Sequence, residues 1–493
     1  MEAEVERVGE FKATRNYVKP GTTGRPNLRL QPLSVFTTSK PTRLLTKIHG
    51  KWYDLTEFER LHPGGPVTLG LARGRDATIM FESHHPFTDR KILDAILMKY
   101  EISSSNSRNL ETLEQRYGVA EHSFQWPSAF GEALKFDVKQ YFESEAKRRN
   151  ISLREATKAT PARWIEISIL GALYLSTFPG FFTGDWRFLL LFPLMAWLIG
   201  VNTFHDATHF ALSANWRWNA LVPYAYPFFS SPFAWYHQHN IGHHSYPNLS
   251  DRDPDVLHYY WMKREHREVK WFPRHRNQST WWYMLLWWGV AVEVGMAIME
   301  DAWMLQSNLY NEVVPMMAIS GLRRIAHILG RVLTIGVIHA WPFFTMTWGK
   351  AFAFSLIPYL FFSIVFMMNT QINHLLPHII HVSDVDWYKH QVITAQDFGV
   401  GSKFCHLFSG GLNYQVVHHL FPTVNHCHLP KLQPIVARLC EKYDVPYVTA
   451  RGYIHAIQLH HLHTSNMSTK WERRQIQSDF DRQVRTVLGI FGR

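Results

Sequence analysis

Histidines at short, regular spacings are the residues of this chain best suited to chemistry. They form three clusters: His205 and His209 in HDATH, His239, His243 and His244 in HNIGHH, and His418 and His419 in QVVHH. Neutral imidazole is a common ligand for transition metals near neutral pH, because its ring nitrogen binds iron, zinc or copper without a large charge penalty. Seven such histidines are too many for one mononuclear site. The clusters therefore predict a dinuclear metal centre.

The spacing within the clusters supports a shared site. His205 and His209 are four residues apart, so on one helix their side chains lie on the same face, and His239 and His243 repeat that spacing. His374, just past an apolar stretch, is expected to add an eighth imidazole. Two further side chains are expected near the metals, Asp206 and Gln415. The carboxylate is expected to orient a ligating ring through its free N–H rather than to bind metal itself.

Apolar stretches of membrane-crossing length flank the first cluster. Residues 164–183 and 186–204 are each close to the roughly 20 residues that a helix needs to cross the hydrocarbon core. The loop between them is short, so a helical hairpin is expected. Residues 220–235 carry three prolines and are too short to cross, which predicts a re-entrant or interfacial segment. The first two clusters would then lie on the same side of the membrane.

Three apolar stretches follow, at 281–299, 325–344 and 351–368. An even number of crossings must separate His244 from His418 if both bind one centre. We therefore take 325–344 and 351–368 as spans and place 281–299 in the interface. In this arrangement the two far-side loops carry only Arg187 and Lys350 as basic residues, which agrees with the usual excess of positive charge on the cytosolic side. The prediction is an all-α membrane domain of four transmembrane helices with a cytosolic, histidine-rich cap.

Charge and composition narrow the remaining possibilities. The net charge of +11 and the pI near 9.4 fit an anionic membrane surface; a nucleic-acid partner is not expected, because no basic block interleaved with aromatic residues stands out. The three cysteines form no CxxC pair, so no disulfide framework is expected. The predicted order is a flexible lead at 1–40, a small α+β unit at 41–102, a linker and amphipathic region at 103–160, the membrane domain at 161–450 and a cytosolic tail at 451–493.

The three clusters resemble the three histidine boxes of the membrane fatty acid desaturases, HxxxH, HxxxHH and QxxHH. The resemblance covers roughly residues 160–450 and includes GGLNY before the third box and LFP after it. It implies a non-haem diiron centre held by the eight histidines. Glutamine at the first position of the third box is the mark of front-end desaturases, which insert a cis double bond between an existing one and the carboxyl end. Gln415 would lie near the metals as a poorer ligand than histidine.

The small N-terminal unit resembles a cytochrome b5 domain. The motif HPGG begins at His62, and GRDATIMF, ending at Phe81, precedes the pair His84 and His85. The resemblance implies haem b held by two axial histidines, which we assign as His62 and His85. His84 stands where the family usually has an apolar residue, so His84 remains the alternative to His85.

Together the two resemblances predict one oxidoreductase. A front-end acyl desaturase would use O₂, and each double bond needs two electrons, which a fused haem domain can deliver one at a time. The expected setting is the endoplasmic reticulum membrane, with the haem domain and the histidine boxes facing the cytosol. The expected partners are NADH-cytochrome b5 reductase and a long-chain acyl-CoA or acyl-phospholipid substrate.

The position of the double bond is predicted from a narrower resemblance. The sequence around the second box, with DPDV from Asp253 and KWF from Lys270, is most similar to Δ5 enzymes acting on C20 polyunsaturated chains. Front-end Δ4, Δ6 and sphingolipid Δ8 desaturases share the boxes and stay open as alternatives. So does a diiron fatty acyl hydroxylase with the same ligands. A non-catalytic electron carrier would need only the two haem ligands and leaves the box histidines without a role.

Overall fold

The structure is a computed structural model. It describes residues 43–103, 124–225, 232–250, 252–257, 262–292, 325, 328–330, 332–333, 335–379 and 386–470. The predicted lead at 1–40 lies outside the described residues, as do residues 104–123 of the predicted linker and amphipathic region.

The N-terminal unit is a small α+β fold. Strands Leu45–Ile48 and Lys51–Asp54 pair antiparallel, with Ile48 opposite Lys51. The two residues between them, His49 and Gly50, both have positive φ, as the tight turn of a two-residue hairpin requires. Its helices are Gly65–Gly70, Thr78–His84 and Arg90–Tyr100. Its own core consists of Leu44, Ile48, Tyr53, Leu55, Phe81 and Leu97. The predicted α+β class is therefore observed.

A long amphipathic helix, Ala129–Arg149, leads from this unit to the membrane part. The Ser128 hydroxyl caps it by accepting from the Gly131 amide, and Asn150 ends it in the left-handed conformation. Its buried residues recur at intervals of about four, which places them on one face: Phe130, Leu134, Val138, Phe142 and Ala146. That face joins one large core with the helix Leu429–Lys442.

Within the described residues, three helical stretches are long and apolar enough to cross a membrane: Pro161–Phe182, Phe188–Thr208 and Trp348–Gln371. The first two form the predicted hairpin. Gly184 turns the chain with φ of 72°, and the Lys350 side chain lies against it, so the third helix begins beside the hairpin loop. Trp197 packs edge-on against Phe362, which joins the third helix to the second.

The predicted count of four spans is not established. The stretch 325–344 lies only in part within the described residues; there it is helical or π-helical and includes Ile335–Ala340, and the short helix Trp341–Thr345 follows. The interfacial interpretation of 281–299 does not fit its described half. Helix Trp281–Val290 packs along the helix Trp348–Gln371, where the Ser363 hydroxyl donates to the Trp288 carbonyl and accepts from the Val292 amide.

Short helices above the three spans form the cap, together with the π-helix Tyr236–His243 and a two-strand parallel sheet of Asp397–Phe398 and Thr449–Ala450. The helices are Trp216–Leu221, Pro232–Trp235, Pro254–Leu257, Trp387–Ile393, Lys403–Ser409, Gln415–Leu420, Leu429–Lys442 and Tyr453–Ser468. The last helix packs on Ile372 and Leu376, so the predicted tail boundary at residue 450 falls inside the packed cap. The predicted re-entrant segment 220–235 is described except for residues 226–231.

Candidate metal and haem sites

The structure brings all eight predicted histidines into one buried cluster at the end of the membrane helices. One group has ligand atoms within 4.8 Å of one another and consists of His205, His209, His239 and His418; a second such group consists of His243, His374 and His419. His244 lies between the groups, with its Nε2 3.2 Å from Nε2 of His239 and 3.1 Å from Nε2 of His418.

The spacing of the ring nitrogens fits bound metal. Nε2 of His205 lies 3.0 Å from Nε2 of His239, and the Nε2 atoms of His243 and His374 are 3.3 Å apart. Neighbouring ligands at right angles around one metal, each about 2.1 Å from it, are themselves about 3 Å apart. Among the described residues, Nε2 of His209 and Nε2 of His419 are buried without a hydrogen-bond partner. Unpaired buried nitrogens are costly unless they bind something, and a metal ion between these rings would satisfy them.

Burial also keeps these rings in the form that binds metal. Loss of hydration, followed by the charges of neighbouring histidines, holds the pKa of His239, His244, His418 and His419 well below the usual value. The rings are therefore neutral at pH 7, with a lone pair available on each. The chemistry of the donor set fits iron, for which neutral imidazole is a suitable ligand.

Partners on the opposite ring nitrogen orient several of the histidines. Nδ1 of His374 donates to the Thr394 carbonyl at 2.9 Å, and Nδ1 of His419 donates to Oε1 of Gln391 at 2.8 Å. With Nδ1 occupied in this way, Nε2 is left to face the metal. Gln391 was not predicted from the sequence, because an isolated glutamine in a short helix carries no signal of its own.

Asp253 orients the ring of His243 and contributes to raising its pKa. Oδ2 of Asp253 lies 3.1 Å from Nδ1 of His243. Burial alone would lower the pKa of His243, but Asp253 and Asp255 outweigh it and raise the pKa to about 9. The sequence prediction included Asp253 only as part of a motif, without a role at the metal site.

Asp253→Asn is expected to weaken the second histidine group. An amide cannot stabilise the donated Nδ1–H of His243 as a carboxylate does, and loss of such a partner typically costs 10–100-fold in metal affinity or activity. Iron per protein and product formation should both fall within about that range. Asp444→Asn, at an exposed position with left-handed backbone, is the matched control. Unchanged iron content in the Asp253 variant would contradict the assignment.

The predicted role of Asp206 needs a correction in its detail. Asp206 lies close to the metal cluster, but its Oδ1 lies 3.2 Å from Nδ1 of His426 and its Oδ2 accepts from Asn425. His426 in turn places Nε2 3.3 Å from Nδ1 of His418. Nδ1 of His426 also contacts the Gly410 carbonyl, so Asp206 lies beside His426 without a hydrogen bond to a box histidine. His426 was not predicted, because it lies outside the spacing of the three boxes.

Gln415 lies beside the second histidine group, as predicted. Its Nε2 is 2.8 Å from Nε2 of His374, and its Oε1 accepts from the Asn373 amide at 3.2 Å. The carboxamide thus occupies a position at the edge of the cluster. Because Nε2 of an amide has no lone pair to offer a metal, this orientation suits a neighbour of the centre better than a ligand.

A cavity of about 60 Å³ opens beside the cluster and is lined by both apolar and polar side chains. Its apolar wall comes from the membrane helices and their neighbours: Trp197, Val201, Trp287, Phe366 and Met367. Its polar wall comes from the cap and the end of the third span: Gln238, Asp255, Glu265, Thr370 and Gln371. His205, His239, His243 and His374 line it as well. A ligand with an apolar chain and a polar end would match this lining.

A second cavity, of about 470 Å³, lies in the N-terminal unit between His62 and His85. The two ring centroids are 6.0 Å apart. Imidazoles on opposite sides of one iron atom, each bound at about 2 Å, have centroids about 6 Å apart. Burial and the charge of His85 lower the pKa of His62 to about 4, so its ring is neutral. Nδ1 of His62 is buried without a hydrogen-bond partner among the described residues. The pair fits a haem iron.

The geometry supports His85 over His84 as the partner of His62. Nδ1 of His85 donates to the Phe81 carbonyl at 2.8 Å, which leaves Nε2 for a metal. His84 also lines the cavity, but its Nδ1 lies 3.1 Å from the Ser83 hydroxyl and its ring lies against Phe210. Gly64 is needed next to these rings, since a Cβ there would lie 2.8 Å from Cε1 of His62.

The family profile decides the identity of the membrane part. The profile described as "Fatty acid desaturase" matches residues 184–451, more than half of the chain. The chain belongs to the fatty acid desaturase family. A second profile, "Cytochrome b5-like Heme/Steroid binding domain", matches residues 32–104 of the same desaturase. The prediction of a cytochrome b5-fused desaturase is confirmed, and with it an oxidoreductase that uses haem and a diiron centre.

Three named relatives each align with at least 84% of this desaturase. It is 28% identical over 444 residues to "Probable Delta(5) fatty acid desaturase C" of Dictyostelium discoideum, covering 84% of this chain and 89% of that protein. It is 29% identical over 450 residues to "Acyl-lipid (8-3)-desaturase" of Mortierella alpina, covering 87% and 95%. "Delta(8)-fatty-acid desaturase" of Helianthus annuus is 26% identical over 444 residues, covering 84% and 86%. No solved structure matches the chain.

Proposed function

We propose that this enzyme is a front-end desaturase that inserts a cis double bond at Δ5 of a C20 polyunsaturated acyl chain. The observation that carries the proposal is the convergence of eight histidines on one point beside a cavity with an apolar and a polar wall. The named relatives include Δ5 and (8-3) enzymes, which supports the position.

The eight histidines are proposed to hold the two iron ions: His205, His209, His239, His243, His244, His374, His418 and His419. When bound and reduced, the iron pair supplies the O₂-derived oxidant that removes hydrogen from two adjacent methylenes. The protein contributes fixed ligands, and all eight rings are at most 7% exposed. Buried surroundings keep water away from the oxidant and protect it from unproductive reduction.

The lining of the cavity supports attack near the carboxyl end. Five carbons of an extended acyl chain span only a few ångströms, so at Δ5 the polar ester end must lie close to the metals. Gln238, Thr370 and Gln371 line the same cavity as His205, His239, His243 and His374, and could hold such a polar end. An enzyme acting far from the carboxyl end would need a long apolar path on both sides of the centre.

Electron delivery follows from how the two parts are joined. Phe210 lines the haem cavity and directly follows His209 in the chain. It has φ of 56°, a conformation that a bulky side chain rarely adopts, and stacks on Tyr236. We propose that electrons reach the haem from NADH-cytochrome b5 reductase and pass through this wall to the diiron centre.

The topology is proposed from two contacts at opposite ends of the bundle. Trp281 stacks on His461 of the cap with ring centroids 4.3 Å apart, whereas Lys350 lies beside Gly184 in the hairpin loop. An odd number of crossings must therefore separate residue 281 from residue 350. With the hairpin and the helix Trp348–Gln371, a single crossing in that interval gives four in total. The endoplasmic reticulum, with the cap and haem unit in the cytosol, is the proposed location.

Glycosylation tags test this topology. A tag near Arg187 is expected to be glycosylated, because the hairpin loop would face the lumen, and a tag near Gly401 is expected to stay unmodified. The measurement is the mass shift on a gel and its reversal by a glycosidase. An additional tag after residue 470 serves as a cytosolic control. Modification at both Arg187 and Gly401 would overturn the arrangement.

Expression in yeast fed single fatty acids tests the reaction. We expect conversion of C20 substrates with a double bond at C8 into products with a new cis double bond at C5, located by mass spectrometry of derivatised products. A double bond at C4, C6 or C8 would replace the proposed position with that of a relative. A product heavier than the substrate by one oxygen would instead show a hydroxylase. Cells carrying the His418→Ala variant provide the baseline.

A further inference from the structure

We propose that residues beyond the N-terminal unit complete the haem site, with Arg154 and Lys158, just before the first membrane helix, binding the two propionate carboxylates of the haem. The proposal rests on haem binding between His62 and His85. It gives two residues that follow the N-terminal unit a role in binding the haem.

The haem cavity is closed by residues from both parts of the chain. Its lining includes the expected apolar side chains of the N-terminal unit, such as Leu69, Met80 and Phe81. From beyond residue 150 it includes Leu153, Arg154, Thr157, Lys158, Phe210 and Thr423. Haem carries two carboxylates at one edge, and Arg154 and Lys158 are the cationic side chains that line this cavity in the described part of the chain.

Both cations are held in place by backbone carbonyls. Arg154 donates from Nη2 to the Pro63 carbonyl at 2.8 Å, and Lys158 donates from Nζ to the Thr423 carbonyl at 2.8 Å. Pro63 follows the proposed axial ligand His62, so the guanidinium lies at the edge of the cavity. Each side chain keeps further N–H groups available, since arginine has five donors and lysine three.

The charges of these two residues are incompletely compensated by protein carboxylates. The acidic residues that affect their pKa values already have other partners. Glu155 forms a capping box with Ser152, and Asp206 accepts a hydrogen bond from Asn425. Burial, followed by the charge of Arg154, lowers the pKa of Lys158 to about 7, against a smaller opposing effect of Asp206. A buried ammonium group without a close anion is unfavourable, and a carboxylate entering the cavity would remove that penalty.

The two parts pack closely against each other around this cavity. Gly65 has φ of 86°, and a Cβ on it would lie 2.4 Å from Cδ2 of Trp216. Phe87 stacks on Phe421 with centroids 5.7 Å apart. One buried apolar cluster contains residues of both parts: Leu71, Ala72, Ala77, Met80, Phe210, Tyr236 and Ile241. Arg154 and Lys158 therefore line the haem cavity beside a packed interface between the two parts.

The reduction potential of the haem tests the proposal. Positive charge near the propionates favours the reduced haem, which carries one more electron. The Arg154→Gln, Lys158→Gln double variant is expected to shift the equilibrium toward oxidised haem by about tenfold, or about 59 mV for one electron. Lys147→Gln, at an exposed position on the neighbouring helix, removes one charge outside the cavity and should leave the potential unchanged.

Haem dimethyl ester, which lacks the propionate charges, separates the carboxylates from other effects. The full-length enzyme would be produced without haem and reconstituted with either haem or the ester. If Arg154 and Lys158 act through the carboxylates, the substitutions should shift the potential with haem and have at most a twofold effect with the ester. Equal shifts with both, or a double variant indistinguishable from Lys147→Gln, would overturn the proposal.

Two further outcomes are distinguishable. If the double variant does not fold, Lys158→Gln compared with Lys158→Arg supplies the same test, because the second keeps the charge. Absence of a haem spectrum in the wild-type enzyme would overturn the haem assignment itself, and this inference with it. Product formation is not part of either readout, so failure of the Δ5 proposal would leave the test of Arg154 and Lys158 intact.

Discussion

His418→Ala is expected to abolish desaturation while the haem absorbance persists. His418 belongs to the first histidine group, contacts Nε2 of His244 at 3.1 Å and is oriented by His426. Loss of a ligand removes more than loss of its orienting partner, which by itself costs 10–100-fold. Activity should therefore fall by more than about 100-fold, with less iron bound per protein.

The experiment combines three measurements on one preparation: product by mass spectrometry, iron by elemental analysis and haem by absorbance. His455→Ala, on the terminal helix away from the cluster, is the matched control and should retain all three. His426→Ala should show an intermediate loss, because it removes only an orienting contact. Substantial product from the His418 variant would remove this residue from the proposed ligand set.

His62→Ala and His85→Ala are each expected to eliminate the haem spectrum, whereas His84→Ala should keep it. The rings of His62 and His85 lie on the same cavity with their centroids 6.0 Å apart, whereas the ring of His84 lies against Phe210. A haem iron with one axial histidine removed loses half of its protein ligation. Turnover should fall with the spectrum unless free cytochrome b5 replaces the fused domain.

The comparison of the two neighbouring histidines makes this prediction sharp. His84→Ala and His85→Ala differ by one position and remove the same side chain, so they are matched controls for each other. Absorbance of the reduced protein, with haem content measured chemically, distinguishes weak ligation from loss of haem. A normal spectrum in the His85 variant together with its loss in the His84 variant would reverse the assignment.

Much of the metal cluster could be predicted from spacing. Histidines four residues apart on a helix share a face, and the hypothesis that all the boxes bind one centre selected the spans that put them at one end of the bundle. The same reasoning failed for helix Trp281–Val290. Its hydropathy is equally compatible with an interfacial and a membrane-inserted position, and only its contact with Ser363 distinguishes them.

The partners of the histidines could not be predicted, for a physical reason. Asp253, Gln391 and His426 each contact the ring of a box histidine from a position outside the spacing of that box. No sequence periodicity distinguishes such a residue from its neighbours. The closure of the haem cavity by Lys158 and Phe210 is of the same kind. The sequences of the two domains, considered separately, do not indicate how the domains pack against each other.

The sequence by itself determined the donor set of this enzyme, because residue types and their spacing decide which side chains can bind metal and which of them share a face of a helix, and the resemblance to the desaturases added iron. It identified eight histidines, the haem unit and the glutamine at position 415. The tertiary structure alone decided which nitrogens meet, how each ring is oriented and which desaturase residues enclose the haem. Those properties depend on side-chain packing between distant segments, and local sequence patterns carry no information about it.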